Sequence, residues 1–225
     1  MREVKIGGNT TVEDAVIAAE AGADAVGVIN VANTKRYIAL KDAKILFAAL
    51  PVFVSRVVVL TLDNRAIEDD TITSVEEIGT DCIQLHGDEP VELVAELRKR
   101  LGNRIRLVKK IGVGDDKEKS LENALAYERV VDALLLDTAS AGTGELGGTG
   151  KEHDWRISKE LVERVKKPVI LAGGLTPENV GNAIELVQPY AVDVSSGVES
   201  KVRKKDADKV KRFVAAAKSA ITCIK

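Results

Sequence analysis

Short runs of aliphatic and β-branched residues recur along this chain, and each is followed by a longer stretch with helical spacing. That alternation limits the fold more than any other feature of the sequence. Strand-like runs stand at 4–6, 25–29, 52–60, 82–85, 105–109, 133–137, 168–172 and 191–195. Helical patterns occupy 11–21, 41–50, 67–78, 90–101, 120–129, 157–165, 177–187 and 207–220. Eight strands alternating with eight helices is the count for a closed (β/α)₈ barrel, the TIM-barrel α/β fold. Several runs are almost wholly apolar, as parallel strands covered by helices are. An open doubly wound sheet is the alternative that pattern alone leaves standing.

Local signals punctuate the elements. Thr11 followed by Glu13 and Asp14 reads as a helix cap with acids in the first turn, and Gly22 as the stop. No linker, repeat or low-complexity tract divides the 225 residues, so residues 1–225 are expected to form one domain. The longest loop, 138–154, carries Gly142, Gly144, Gly147, Gly148 and Gly150, and a loop of that length after a strand is more often functional than idle.

Composition narrows the function. Lys plus Arg (33) nearly balances Asp plus Glu (35), for a net charge of −2. That balance gives no electrostatic case for nucleic acid or an anionic membrane as partner. The most apolar stretch, 45–60, is broken by Pro51 and Arg56 and is too short to span a bilayer. Residues 1–5 run straight into strand-like sequence, so no secretion signal is expected. Cys82 and Cys223 are the two cysteines, with no C-x-x-C pair and no histidine cluster, so neither a disulfide framework nor a metal site is expected. These features fit a cytoplasmic protein. Monomer and homodimer are both open.

In such barrels chemistry sits at the C-terminal ends of the strands. After the seventh run stands Gly173-Gly174-Leu175-Thr176-Pro177-Glu178, with Thr176 reading as helix cap and Pro177 as the first helical residue. After the eighth stands Ser195-Ser196-Gly197. Glycines that admit a close anion, beside a second set of donors, predict a phosphate site built from Gly173, Gly174, Ser195, Ser196 and Gly197. A plain tight turn is the bland reading of each loop taken alone.

Asp137 closes an apolar run and should stand at the barrel mouth as the acid–base group; a salt bridge or loop cap is the alternative. Arg36 could clamp a carboxylate or phosphate, or be a solvated charge beside Lys35. His86 could shuttle a proton or bond to backbone. Asp193 must be paired if buried, and could orient a substrate hydroxyl or a lysine. Lys5 points into the barrel if Ile6 points out, and could then pair with Asp137 or Asp193. His153 reads as exposed, and Trp155 as packing at a helix start.

The ordered motifs resemble the phosphoribosylanthranilate isomerase family of tryptophan biosynthesis. They include Lys5-Ile6-x-Gly8-x-Thr10, Lys35-Arg36-Tyr37-Ile38, Gln84-Leu85-His86-Gly87, Leu135-Leu136-Asp137-Thr138, Ala172-Gly173-Gly174-Leu175-x-Pro177-Glu178-Asn179 and Val192-Asp193-Val194-Ser195-Ser196-Gly197-Val198-Glu199. The resemblance implies a cofactor-free Amadori rearrangement of N-(5′-phosphoribosyl)anthranilate. It assigns the general acid to Asp137 and places Arg36 at the anthranilate end of the substrate. The family's general base is a cysteine at the third position of the first motif, and that position here is Gly7. Neither Cys82, at the start of its strand, nor Cys223, in the tail, stands where it could replace that cysteine. Asn9 is polar where the family usually has an apolar residue. A paralogue acting on another phosphosugar, or a non-catalytic phosphate-ligand binding barrel, are the alternatives that the missing base leaves open.

Overall fold

The computed structural model describes residues 2–62, 69–139 and 153–220. Most of the glycine-rich loop and Cys223 therefore lie outside the described residues. The strands are β1 (Glu3–Ile6), β2 (Ala25–Ile29), β3 (Ser55–Leu60), β4 (Cys82–Leu85), β5 (Arg106–Val113), β6 (Ala133–Thr138), β7 (Val169–Leu171) and β8 (Ala191–Val194). They alternate with α1 (Val12–Glu20), α2 (Leu40–Ala48), α3 (Asp69–Glu77), α4 (Val91–Leu101), α5 (Lys117–Tyr127), α6 (Trp155–Arg164), α7 (Val180–Val187) and α8 (Ala207–Ser219). A 3₁₀ turn (Ser196–Val198) and a two-stranded hairpin, β9 (Glu199–Lys201) with β10 (Lys204–Lys205), stand between β8 and α8.

All eight strands pair in parallel with their sequence neighbours, and β8 returns to β1, so the sheet is a closed barrel and not the open alternative. The two-residue period of each strand divides its side chains. Leu134 and Leu136 face the helices as part of the main apolar core, while Ala133 and Leu135 face inward. Val108, Leu135 and Ala172 form an inner cluster with Cys82, Ala133 and Ile170. That plug fills one part of the barrel, so a ligand must enter from the loops at the strands' C-terminal ends.

Several boundaries differ from the pattern reading. β3 begins at Ser55 because Pro51 opens a turn that leaves Val52 and Phe53 76% and 96% exposed. β5 runs on to Val113 because it pairs with β6 through Val113↔Thr138. α7 starts at Val180, not at Pro177. Thr176 Oγ1 does accept from the Glu178 N–H (3.2 Å), as a cap would. The intervening turn is held by Asn179, whose Oδ1 accepts from Thr176 N (2.7 Å) and whose Nδ2 donates to Gly174 O (2.9 Å). The β9–β10 hairpin was not legible, since its charged residues carry no strand period.

Candidate active site

Strand parity brings the candidate residues together. Lys5, Gln84, Asp137 and Asp193 all project inward near the strands' C-terminal ends, with Gly7, His86 and Ser195 in the turns just beyond. They line a cavity of about 250 Å³ with Ile29, Val59 and the β2–α2 loop, including Arg36. A smaller cavity of about 60 Å³ adjoins it, walled by Gly173, Gly174, Ser196 and Gly197. Asp137, Asp193 and Ser195 line both.

The small cavity depends on missing side chains. Gly173 (φ +85°) and Gly174 (φ +66°) lie in the left-handed region that favours glycine. A Cβ on Gly173 would come within 2.5 Å of Thr138 Oγ1. At Gly197 a Cβ would lie 2.0 Å from the carbonyl oxygen of Leu175, so the β7 and β8 loops touch only because residue 197 has no side chain. The structure thus brings the five expected phosphate-site residues to one rim.

Asp137 is buried at the base of the large cavity. Its Oδ1 accepts from the Thr138 N–H (2.8 Å), and its Oδ2 lies 3.5 Å from His86 Nε2. Burial pushes its carboxyl up. The hydrogen bond and field of His86, the Thr138 N–H and the nearby Lys110 together outweigh that and hold it below the usual 3.8. Gln84 Nε2 stands 3.1 Å from His86 Nδ1. An amide nitrogen only donates, so in this arrangement Nδ1 accepts and the ring proton sits on Nε2, facing Asp137.

Lys5 pairs with Asp193 and not with Asp137: Nζ to Oδ2 is 2.8 Å, and the two residues are register partners between β1 and β8. The other oxygen, Asp193 Oδ1, is buried with no hydrogen-bond partner among the described residues, as is Ser195 Oγ. A Cβ at Gly7 would lie 3.1 Å from that Oδ1. Gly8 (φ +66°) brings the chain close to Ser195 and Arg36, since its Cβ would meet Ser195 Oγ at 2.4 Å and Arg36 Cδ at 2.7 Å. Asn9, the polar departure from the family pattern, donates from Nδ2 to Ile6 O (2.7 Å) and Gly27 O (3.0 Å), tying the turn after β1 to β2.

Arg36 is no solvated charge. It is buried, and its Nε and Nη2 each donate at 2.7 Å to one oxygen of Glu199. Lys205, also buried, donates to Ser195 O (3.0 Å) and lies 3.5 Å from Glu199 Oε1; burial lowers its ammonium to about 8. Glu199 was visible only as the end of a motif, and nothing in the sequence tied it to Arg36.

A second buried pair was missed. Glu89 and Lys109 stand 3.0 Å apart. Glu89 Oε1 accepts from the N–H groups of Gly87 (3.0 Å) and Leu62 (3.1 Å), and Lys109 donates to Gly87 O (2.7 Å). Together they fix the turn that carries His86. A lysine inside an apolar strand was the available signal. His153 is not merely exposed: its ring bridges Thr138 Oγ1 (3.2 Å) and Ser158 Oγ (2.6 Å), joining the end of β6 to α6. Trp155 opens α6 and packs against the main core, as expected. Cys82 sits in the inner plug with its thiol pushed up to about 12 by burial, away from the cavity mouth. Among the described residues no group of His, Cys, Asp and Glu could hold a metal ion, and no helix is long and apolar enough to cross a membrane.

A closed parallel barrel with a carboxylate-bearing cavity at the strands' C-terminal ends defines the class, a (β/α)₈-barrel enzyme. The family model for N-(5′-phosphoribosyl)anthranilate isomerase matches residues 4–216, and the chain belongs to that family. It is 44% identical over 215 residues to the N-(5′-phosphoribosyl)anthranilate isomerase of Methanocella arvoryzae, covering 95% of this chain and 97% of that protein. Among solved structures it resembles the phosphoribosyl anthranilate isomerase of Thermotoga maritima, with TM-score 0.84 and 40% identity, covering 97% of this chain and 99% of that one. It also resembles a phosphoribosyl anthranilate isomerase solved in complex with reduced 1-(o-carboxyphenylamino)-1-deoxyribulose 5-phosphate, with TM-score 0.81, 38% identity and the same coverage.

Proposed function

We propose that this chain converts N-(5′-phosphoribosyl)anthranilate to 1-(o-carboxyphenylamino)-1-deoxyribulose 5-phosphate in tryptophan biosynthesis, as a single cytoplasmic domain that works as a monomer or homodimer without a cofactor. Family membership supports the reaction, and the joined cavities carry the reading of the site. A phosphate fits the small cavity, whose glycine backbone can approach it closely. The ribose then lies over Asp137, which lines both cavities. The anthranilate ring extends toward Ile29, Val59 and Arg36.

In this scheme Asp137 protonates the ring oxygen, the ribose opens to an imine at C1′, and loss of the C2′ proton leads to the ketose. Its surroundings hold the Asp137 carboxyl below 3.8, so acting as the acid requires substrate to raise it. The substrate brings a phosphate and a carboxylate, and nearby negative charge raises a carboxylic acid's pKa. His86, with Nε2 facing Asp137, is the group placed to help hold or pass that proton. Arg36 keeps its bond to Glu199 and offers the remaining edge of its guanidinium to the anthranilate carboxylate.

The purified protein is expected to turn over N-(5′-phosphoribosyl)anthranilate, and its gene to restore growth without tryptophan to a strain lacking this isomerase. No turnover and no rescue by a well-expressed, folded protein would overturn the reading and favour a different phosphosugar.

A further inference from the structure

The reaction needs a base at C2′, and residue 7, at the mouth of β1, is a glycine. The structure shows what occupies the adjoining space. The carboxylate of Asp193 reaches in from β8, its Oδ2 fastened to Lys5 Nζ at 2.8 Å. Its Oδ1 is buried without a hydrogen-bond partner among the described residues, 3.1 Å from where a Cβ on residue 7 would begin. Asp193 also lines both cavities, so it lies beside the path from the phosphate pocket to Asp137.

We propose that Asp193 is the general base of this enzyme, its free Oδ1 reaching C2′ of the open-chain substrate through the space that glycine leaves at position 7. The inference rests on the isomerase reading above. Three features fit the role. A carboxylate oxygen with open lone pairs is a ready proton acceptor, whereas Oδ2 is already engaged. The bond to Lys5, itself fixed on the neighbouring strand, holds the carboxylate in one orientation, as a positioned base requires. A larger side chain at position 7 would press on this oxygen, since a 3.1 Å approach is already tighter than ordinary contact.

The step balances without a further reactant. Asp137 gives its proton to the ring oxygen, and the C1′–O bond breaks to leave a protonated imine. Asp193 Oδ1 takes the C2′ proton. The C–H electron pair becomes the C1′=C2′ bond, and the imine pair moves to nitrogen. Asp193 then returns its proton to C1′, while the 2′-hydroxyl proton leaves through water to Asp137. The 2′-ketone forms and both carboxyl groups recover their starting states. Asp193 is thus a catalytic residue and Lys5 a positioning residue.

The test compares the wild type with Asp193→Asn, Gly7→Cys and the Gly7→Cys, Asp193→Asn double variant. Each is measured for kcat, KM, cooperative unfolding and calorimetric binding of reduced 1-(o-carboxyphenylamino)-1-deoxyribulose 5-phosphate. Asp193→Asn should lower kcat by roughly 10²–10⁴-fold, the usual contribution of a positioned base, while still binding the analogue. In the double variant a thiol at position 7 should recover at least part of that loss. If Asp193→Asn misfolds, Asp193→Ala decides instead: added formate should restore part of its kcat by supplying a carboxylate base, and a folded variant that formate leaves unchanged overturns the proposal. The proposal is overturned if Asp193→Asn keeps kcat within about threefold of wild type. It is also overturned if the wild type binds the analogue without turnover and Gly7→Cys creates turnover. A wild type that neither binds the analogue nor turns over substrate overturns the isomerase reading itself, and this proposal with it.

Discussion

Asp137 sits under opposed influences. Burial raises its carboxyl, and His86, Thr138 and Lys110 pull it down, with the net shift downward. A depressed folded pKa means that Asp137 stabilises the fold fully above its unfolded value near 3.8, and that this contribution is lost as pH falls through the lower folded value. Near neutrality the resting group is a carboxylate. Asp137→Asn removes the proton donor with little change of shape, so kcat should fall by about 10²–10⁴-fold while analogue affinity is largely kept; steady-state kinetics beside calorimetry checks this. At this scale the sequence picked out residues that the fold brings to one cavity, but not what each of them touches. The two-residue period turned Lys5 inward, but the choice between Asp137 and Asp193 depended on the β1–β8 register that closes the barrel. Arg36 and Glu199 are 163 positions apart, and no local signal couples groups so distant.

At the scale of elements, the loops after β7 and β8 and the hairpin that follows them act together. Gly197 lets the two loops touch, so Gly197→Ala must push the Leu175 carbonyl away and open the small cavity proposed to hold the phosphate. A displacement of that kind should cost roughly 10²-fold in kcat/KM and weaken inorganic phosphate as a competitive inhibitor, with initial-rate kinetics as the check. Behind these loops Lys205 is lowered to about 8 from 10.5 by burial, among Glu199, Arg36 and Asp193. Between those pH values the unfolded chain binds the lysine proton and the folded one does not, so this residue makes stability rise with pH across that window. Urea unfolding at pH 7.5 and 9.5 should therefore show the wild type gaining on Lys205→Met by about 1 kcal/mol or more. The element pattern itself was legible because each strand is a dense apolar run between helix caps. Its edges were not. Val52 and Phe53 look like strand yet lie in an exposed turn, and the turn before α7 is set by side-chain bonds from Asn179. The hairpin β9–β10 was missed because its pairing holds charged residues against the barrel and buries few apolar ones.

Over the whole molecule, the closed sheet explains how residues from β1, β4, β6 and β8 reach one cavity. Closure sets β8 beside β1, and parity then turns Asp193 toward Lys5 and Gly7. The alternation of strands and helices carried this architecture in the sequence, and Gly173, Gly174 and Gly197, expected there to hold a phosphate, line the small cavity at its C-terminal face. The inner side chains grade from an apolar plug of Val108, Leu135 and Ala172 to a polar mouth of Lys5, Gln84, Asp137 and Asp193, which gives the barrel one open end for substrate.

A crystal structure of this protein with reduced 1-(o-carboxyphenylamino)-1-deoxyribulose 5-phosphate tests that arrangement most directly. The phosphate should lie against the backbone N–H groups of the Gly173–Gly174 and Ser196–Gly197 turns, with the sugar chain passing over Asp137 and the carboxyphenyl group toward Arg36. A phosphate bound anywhere else, or a sugar chain out of reach of Asp137, would contradict the account.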